Sequence, residues 1–217
     1  MIKKLVICGS GGAASEALWV CRRINEAGTT ELVEVLGFTD DRPERTGAEV
    51  EGLPILGTTS QIAQRFGGQG VYFHCAIGDN RARHRVSLEL VAGGFTPLSL
   101  IDPSAIVAPT ATVGAGTYIG PLSLVAPHAQ VGRFVLINTH VSIGHHAVVG
   151  NFAQFCPGSR PSGLCQIGEG AFMGSNAAAA PKVRIGAWAT LGAASFALKD
   201  VPDATTAIGN PARVVLR

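Results

Sequence analysis

Three short turns carry residue types suited to a phosphorylated ligand. Gly9-Ser10-Gly11-Gly12 stands where an apolar segment, Leu5 to Cys8, gives way to a helical pattern. Amides at such a helix N-terminus can face a phosphate. Asp40 and Asp41 end the stretch Phe38-Thr39-Asp40-Asp41, and Gly78 begins the turn in Ala76-Ile77-Gly78-Asp79-Asn80. Carboxylates there can accept from ribose hydroxyls or base N–H groups, while the first glycine loop takes the phosphate. The dinucleotide fingerprint G-x-G-x-x-G is incomplete because Ala14 fills its third glycine position, and a glycine turn built only for shape is the competing explanation. Much further along, Asn138-Thr139-His140-Val141-Ser142-Ile143-Gly144-His145-His146 gathers three imidazoles, groups that take up or hold a proton near neutrality.

Two kinds of element must position these groups. In the first hundred residues, apolar segments Leu5 to Cys8, Val33 to Phe38, Val71 to Cys75 and a short one near Pro97 to Ile101 alternate with helical patterns around Ser15 to Ala27, Thr59 to Phe66 and Asn80 to Ala92. That alternation predicts a parallel sheet with crossover helices, whose ligand crevice lies at the carboxyl ends of the strands, where the three turns converge. From Ile101 to Ala197 the chain instead repeats every six residues, with Ile119, Val125, Val131, Ile137, Ile143 and Val149 as successive members. A helix repeats near 3.6 residues and a hairpin strand at two, so this is a solenoid. Three six-residue units close a triangular coil, one large aliphatic per side fills its axis, and residue n lies under residue n+18. Glycine follows many of the aliphatics (Gly114, Gly120, Gly132, Gly144, Gly150, Gly168); these are expected to turn the corner at positive φ. The domains predicted are 1–98, α/β and Rossmann-like, and 99–217, an all-β parallel β-helix with a C-terminal cap.

Composition narrows the class. A formal net charge of +2 without a Lys/Arg cluster gives no footprint for nucleic acid. The opening Met-Ile-Lys-Lys-Leu-Val-Ile-Cys is too short in apolar residues for a signal peptide, and no stretch approaches a membrane span. Cys8, Cys21, Cys75, Cys156 and Cys165 show no Cys-x-x-Cys spacing, which reads as reduced, mostly buried thiols in the cytoplasm.

The glycine loop, Phe38-Thr39-Asp40-Asp41, Ala76-Ile77-Gly78-Asp79-Asn80, the hexapeptides and the closing Ile208-Gly209-Asn210-Pro211-Ala212-Arg213 together resemble the bacterial hexapeptide acyltransferases that acetylate nucleotide-linked amino sugars. That group contains the bacillosamine and perosamine N-acetyltransferases and the sialic-acid O-acetyltransferase relatives. The resemblance implies a left-handed β-helix, a homotrimer, and acetyl-CoA as co-substrate lying between neighbouring helices, with no metal. It implies a catalytic role for His145, with His146 in the place where relatives carry Asp or Glu, and an oxyanion donor at the Gly163 amide. It implies acetyl-CoA contacts at Gln154, Gly163, Gly174, Ser175, Gly192 and Ala193, and nucleotide-sugar contacts at Ser10, Gly11, Gly12, Ala13, Asp40, Asp41 and Gly78. Gln154 and Ala13 stand where relatives often have histidine. By the 18-residue rule His146 stacks over His128 or points outward.

Two rival classes follow from the same residues. Hexapeptide carbonic anhydrases bind zinc through three histidines, and His140 with His145 reproduces a five-residue ligand gap; Ser104, however, stands where the third ligand belongs, which leaves the metal site incomplete. A non-catalytic trimeric binding protein is the other rival. The expected activity is acetyl transfer from acetyl-CoA to the amine of a nucleotide-linked 4-amino-4,6-dideoxy sugar used in surface-polysaccharide synthesis, with sugar O-acetylation as the alternative.

Overall fold

A computed structural model describes residues 2–28 and 32–215, and the chain divides into two compact units between Pro103 and Ser104. Met1, part of the segment read as the first strand, lies outside the described residues.

Among the described residues, the first unit is a six-stranded sheet with three α-helices. Its strands are β1 (Ile2–Cys8), β2 (Leu32–Thr39), β3 (Glu49–Val50), β4 (Leu53–Gly57), β5 (Tyr72–Cys75) and β6 (Thr96–Pro97), in the order β3-β4-β2-β1-β5-β6. The helices are α1 (Gly12–Glu26), α2 (Thr59–Phe66) and α3 (Asn80–Ala92). Leu5, Val6 and Ile7 of β1 are fully buried, as the central strand of a sheet covered on both faces requires. The sheet is parallel as expected, with one addition: β3 and β4 form an antiparallel hairpin on its edge. Helix starts follow their caps. Thr58 and Gln61 form a reciprocal capping box for α2, Asp79 accepts from the Ala82 amide at 2.7 Å to cap α3, and α1 begins on Gly11 with no side-chain cap. The first turn of α1 therefore leaves backbone donors open.

The second unit is a coil of two-residue strands stacked in three columns. Tyr118 pairs with Leu136, Gln154, Phe172 and Thr190 in turn, Gln130 with Val148, Gln166 and Arg184, and Ile106 with Leu124 and Ser142. Every step is 18 residues, so the expected register holds. Ile119, Val125, Ile137, Ile143, Phe155, Met173, Ile185 and Leu191 fill the axis and are fully buried. At the far end the step shortens, with Thr190 paired to Thr206, and an antiparallel hairpin of Thr206–Gly209 and Ala212–Val215 closes the stack.

Two local features depart from the simple coil. Pro161 occupies an inward strand position, and the residue there would direct its N–H back to the preceding coil, as its carbonyl does in accepting from Gly144 N–H at 2.9 Å. Proline has no such donor, and at this point the third column splits into Ile106–Ser142 and Arg160–Phe196 halves. The corner glycines also act differently from expectation. None of Gly114, Gly120, Gly132, Gly144, Gly150 or Gly168 has positive φ. They are needed because the next coil's backbone passes too close: a Cβ on Gly150 would lie 2.5 Å from Glu169 N, and one on Gly174 2.5 Å from Ala193 N. Positive φ falls two residues later, at Leu122, His128, Phe134, His140, His146, Phe152, Leu164 and Lys182. Residues at this position stack ring on ring where both are aromatic, as in Phe134 and Phe152, whose centroids are 5.2 Å apart.

Candidate functional site

In the first unit, sheet register brings the three turns together. Cys8 at the end of β1 pairs with Thr39 of β2 on one side and Cys75 of β5 on the other, so Gly9, Asp40 and Ala76 leave the same edge of the sheet. Between them opens a cleft of about 190 Å³ lined by Gly9, Ser10, Gly11, Asp40, Asp41 and Arg42, together with Thr39, Thr59 and Ile77. Ser10, Gly11, Asp40 and Asp41 thus share one cleft. Gly12 and Ala13 form the first turn of α1 beside it, while Gly78 lies beyond the lining, whose contribution from that turn is Ile77.

The two carboxylates have partners within the cleft. Ser10 Oγ donates to Asp40 Oδ2, and the Arg42 guanidinium binds Asp40 through Nε at 2.9 Å and Nη2 at 2.8 Å. These Arg42 bonds, with help from Ser10, hold the Asp40 carboxyl well below the usual carboxylate range. Arg45, on a short turn at Pro43–Arg45, reaches within 3.3 Å of Ser10 Oγ. Asp41 Oδ1 accepts from Thr59 N at 3.1 Å and Thr59 Oγ1 at 2.9 Å, which ties the acidic turn to the start of α2. Sequence reading missed both arginines. The signal was present in Asp40-Asp41-Arg42-Pro43-Glu44-Arg45, where two permanent cations follow two carboxylates.

The second concentration of chemistry lies at one corner of the coil stack, between the strands Ser142–Ile143 and Val148–Val149. The backbone fixes this corner from both sides: His146 N donates to Pro127 O at 3.1 Å, and Leu164 N donates to His145 O at 2.9 Å. Gly163 stacks on His145 as the 18-residue rule requires. The His145 ring lies on its backbone, so that a Cβ on Gly163 would stand 2.5 Å from Nε2. The Gly163 carbonyl accepts from Lys182 N at 3.1 Å, and among the described residues no acceptor takes its amide. The exposed His145 imidazole therefore lies against a half-buried residue whose N–H has no acceptor among the described residues. Nδ1 of His145 is 3.2 Å from Nδ1 of His146, and His146 stacks on His128 with centroids 4.8 Å apart.

The other sequence-predicted contacts gather at a different corner. Gly174 and Ser175 follow the strand Phe172–Met173, and Gly192 and Ala193 follow Thr190–Leu191. They stack as a column, with Ala194 N donating to Ser175 O at 2.8 Å, and Gln154 belongs to the strand column leading into the same corner. Within one chain this column and the His145 corner are separated by a full face of the coil. His140 lies at the second corner too, its Nδ1 2.9 Å from Thr139 Oγ1. Ser104 Oγ accepts from Leu122 N at 3.1 Å, and no group of three or more His, Cys, Asp or Glu among the described residues could hold a metal ion. No helix among the described residues is long and apolar enough to cross a membrane.

Known proteins resemble the chain over both units. Residues 4–90 match the model of the PglD N-terminal domain. GDP-perosamine N-acetyltransferase of Escherichia coli O157:H7 is 30% identical over 187 residues, covering 84% of this chain and 83% of that enzyme. The acetyltransferase domain of PglB from Neisseria gonorrhoeae, solved with acetyl coenzyme A, superposes with a TM-score of 0.90 at 29% identity over 99% of this chain and 100% of that one. PerB from Caulobacter crescentus, solved with CoA and GDP-perosamine, superposes with a TM-score of 0.89 at 30% identity over 98% and 97% of the two chains. With a Rossmann-like unit carrying a polar cleft and a left-handed β-helix carrying an imidazole over an open amide, the chain belongs to the hexapeptide-repeat sugar acetyltransferases and is an acyltransferase.

Proposed function

We propose that the chain is an acetyl-CoA-dependent N-acetyltransferase acting on the amine of a nucleotide-linked 4-amino-4,6-dideoxy sugar. The observation that carries this reading is the His145 imidazole resting on Gly163, whose amide has no acceptor among the described residues. Acyl transfer to an amine needs a group to take the proton and a donor for the developing oxyanion. His145 Nε2 and the Gly163 N–H suit those two tasks. The amine nitrogen bonds to the thioester carbon, the C–S bond breaks, and the amine proton passes through His145 to the departing thiolate. The cleft at Ser10, Gly11 and Asp40 would hold the nucleotide, with Arg42 and Arg45 supplying charge opposite the phosphates.

The separation of the His145 corner from the Gly174 and Gly192 column supports a homotrimer in which acetyl-CoA bridges neighbouring copies. Exposed apolar residues on the coil, Ile106 at 66%, Leu122 at 59% and Leu164 at 42%, are suited to such a junction. A cytoplasmic place in surface-polysaccharide synthesis fits the substrates. The test is thiol release from acetyl-CoA with a panel of UDP-, GDP- and dTDP-linked 4-amino sugars, using the matching hydroxyl sugars as controls. Turnover with one amino sugar and none with its hydroxyl counterpart supports the reading. Turnover confined to hydroxyl sugars, or none from a trimer that binds acetyl-CoA, overturns it.

A further inference from the structure

His145 has two ring nitrogens, and the fold gives them different neighbours. Nε2 lies over the Gly163 backbone, while Nδ1 is 3.2 Å from Nδ1 of His146, with the two ring planes at 85°. Between neutral imidazoles such a contact needs one N–H and one lone pair. With the proton on His145 Nδ1, its lone pair is on Nε2, beside Gly163, and can take a proton there. In the opposite arrangement His145 presents an N–H at Nε2 and cannot. Which nitrogen is protonated is set by the bond the other makes, so the group facing Nδ1 decides whether His145 is a base.

Among the described residues of the second unit, no side-chain carboxylate bonds to that nitrogen. The carboxylates of residues 104–217 are Glu169, Asp200 and Asp203. Asp200 and Asp203 are engaged at Arg184, and Glu169 stacks with Gly150 at a different corner. The residues aligned with the His145-His146 corner are Pro127 and His128 one coil earlier, Gly163 and Leu164 one coil later, and Pro181 and Lys182 beyond. His146 is the acceptor within reach. Its ring is oriented by His128, against which it lies with planes at 34°, and its backbone by the bond to Pro127.

We infer that His146 is a positioning residue whose Nδ1 lone pair accepts the His145 Nδ1–H, and that its stacking on His128 holds His145 in the tautomer whose Nε2 lone pair faces Gly163. This rests on the proposed acetyl transfer for its chemical purpose but not for its geometry.

Two substitutions separate accepting from stacking. His146→Phe keeps a ring over His128 without an acceptor, at a corner position that Phe134 and Phe152 already occupy with φ of 56° and 59°. His146→Asp keeps an acceptor without the ring. The Phe variant is expected to lose about 10- to 100-fold in kcat, by analogy with the loss of a partner that orients a metal-ligating histidine, with the acetyl-CoA KM unmoved. The Asp variant is expected to exceed the Phe variant in kcat by about 10-fold or more. Long-range ¹H–¹⁵N spectra of histidine-labelled protein should show His145 as Nδ1–H in the wild type and Asp variant, and as Nε2–H in the Phe variant. A wild-type Nε2–H signal, an unchanged kcat in the Phe variant, or equal losses in both variants would overturn the inference. The spectra need no turnover, so a failed substrate panel would sink the proposed reaction while the tautomer is still measured.

Discussion

His145 is exposed, yet its position is set by the coil stack, through the Leu164 N–H on its carbonyl and the Gly163 backbone beneath its ring. Removing the imidazole leaves that stack intact. His145→Ala should therefore cut kcat by about 100-fold or more, in the range of lost general acid–base catalysis, with little change in acetyl-CoA affinity by calorimetry. Gly163→Ala should resemble it without removing the imidazole, because the new methyl would occupy the place of the ring, 2.5 Å from Nε2. A Gly163→Ala enzyme with full kcat would show that the ring need not rest there. The His145–Gly163 stack was legible in advance because a period without insertions turns sequence separation into a spatial address. The first-unit cleft was only partly legible: strand ends located Ser10, Asp40 and Asp41, but side-chain length and direction brought in Arg42 and Arg45, and no periodic rule carries that information.

The elements obey different constraints in the two units. In the solenoid, the hexapeptide pattern foretold coils, but the physical role of its glycines could be separated only by geometry. Crowding by the next coil and positive φ both select glycine in a sequence, and here they act at positions two apart. The difference is measurable. Gly150→Ala places a methyl against Glu169 N at 2.5 Å and should cost about 3 kcal/mol or more by urea titration, as backbone overpacking does. Ala194→Gly, at an exposed corner with φ of 55°, should be neutral or stabilise by about 1 kcal/mol, since an L-residue is strained there. Equal losses at both sites would contradict the assignment. In the sheet unit, the β3–β4 hairpin escaped sequence reading because its strands are short and Pro54 interrupts the apolar run, although β4 continues the parallel ladder at Phe38 and Ile55. Strand β5 also carries a pH dependence. Burial, opposed by the bond to Leu98 O and aided by nearby Arg83, lowers the pKa of His74 to about 4. The unfolded chain binds the proton first, so this contribution is complete above pH 6.5 and fades as pH falls toward 4, by about 3 kcal/mol in all. Unfolding midpoints of the wild type should fall across that window more steeply than those of His74→Gln; parallel curves would exclude the effect.

At the scale of the whole molecule, the two corners of the proposed site lie apart on one coil stack. The His145–Gly163 pair is at one, and the Gly174, Ser175, Gly192 and Ala193 column at another, with a face of the triangular coil between them. In the proposed cyclic trimer, whose junctions join unlike patches of neighbouring copies, one copy's first corner would face its neighbour's second, and complementation can test that. His145→Ala removes the imidazole, and Ala193→Trp fills the second corner at an exposed position without entering the coil axis. Each variant alone should be nearly inactive, because every junction then contains one damaged corner. Mixed trimers reassembled from equal amounts should recover activity at junctions that combine intact His145 from one copy with intact Ala193 from the other. Random assembly makes these about a quarter of all junctions, so recovery should approach that share of wild-type turnover. If the two corners served one site within a single copy, every copy would remain damaged and mixing would restore nothing. Recovery therefore distinguishes a shared site from three independent ones, and its size reports whether every junction of the trimer is used.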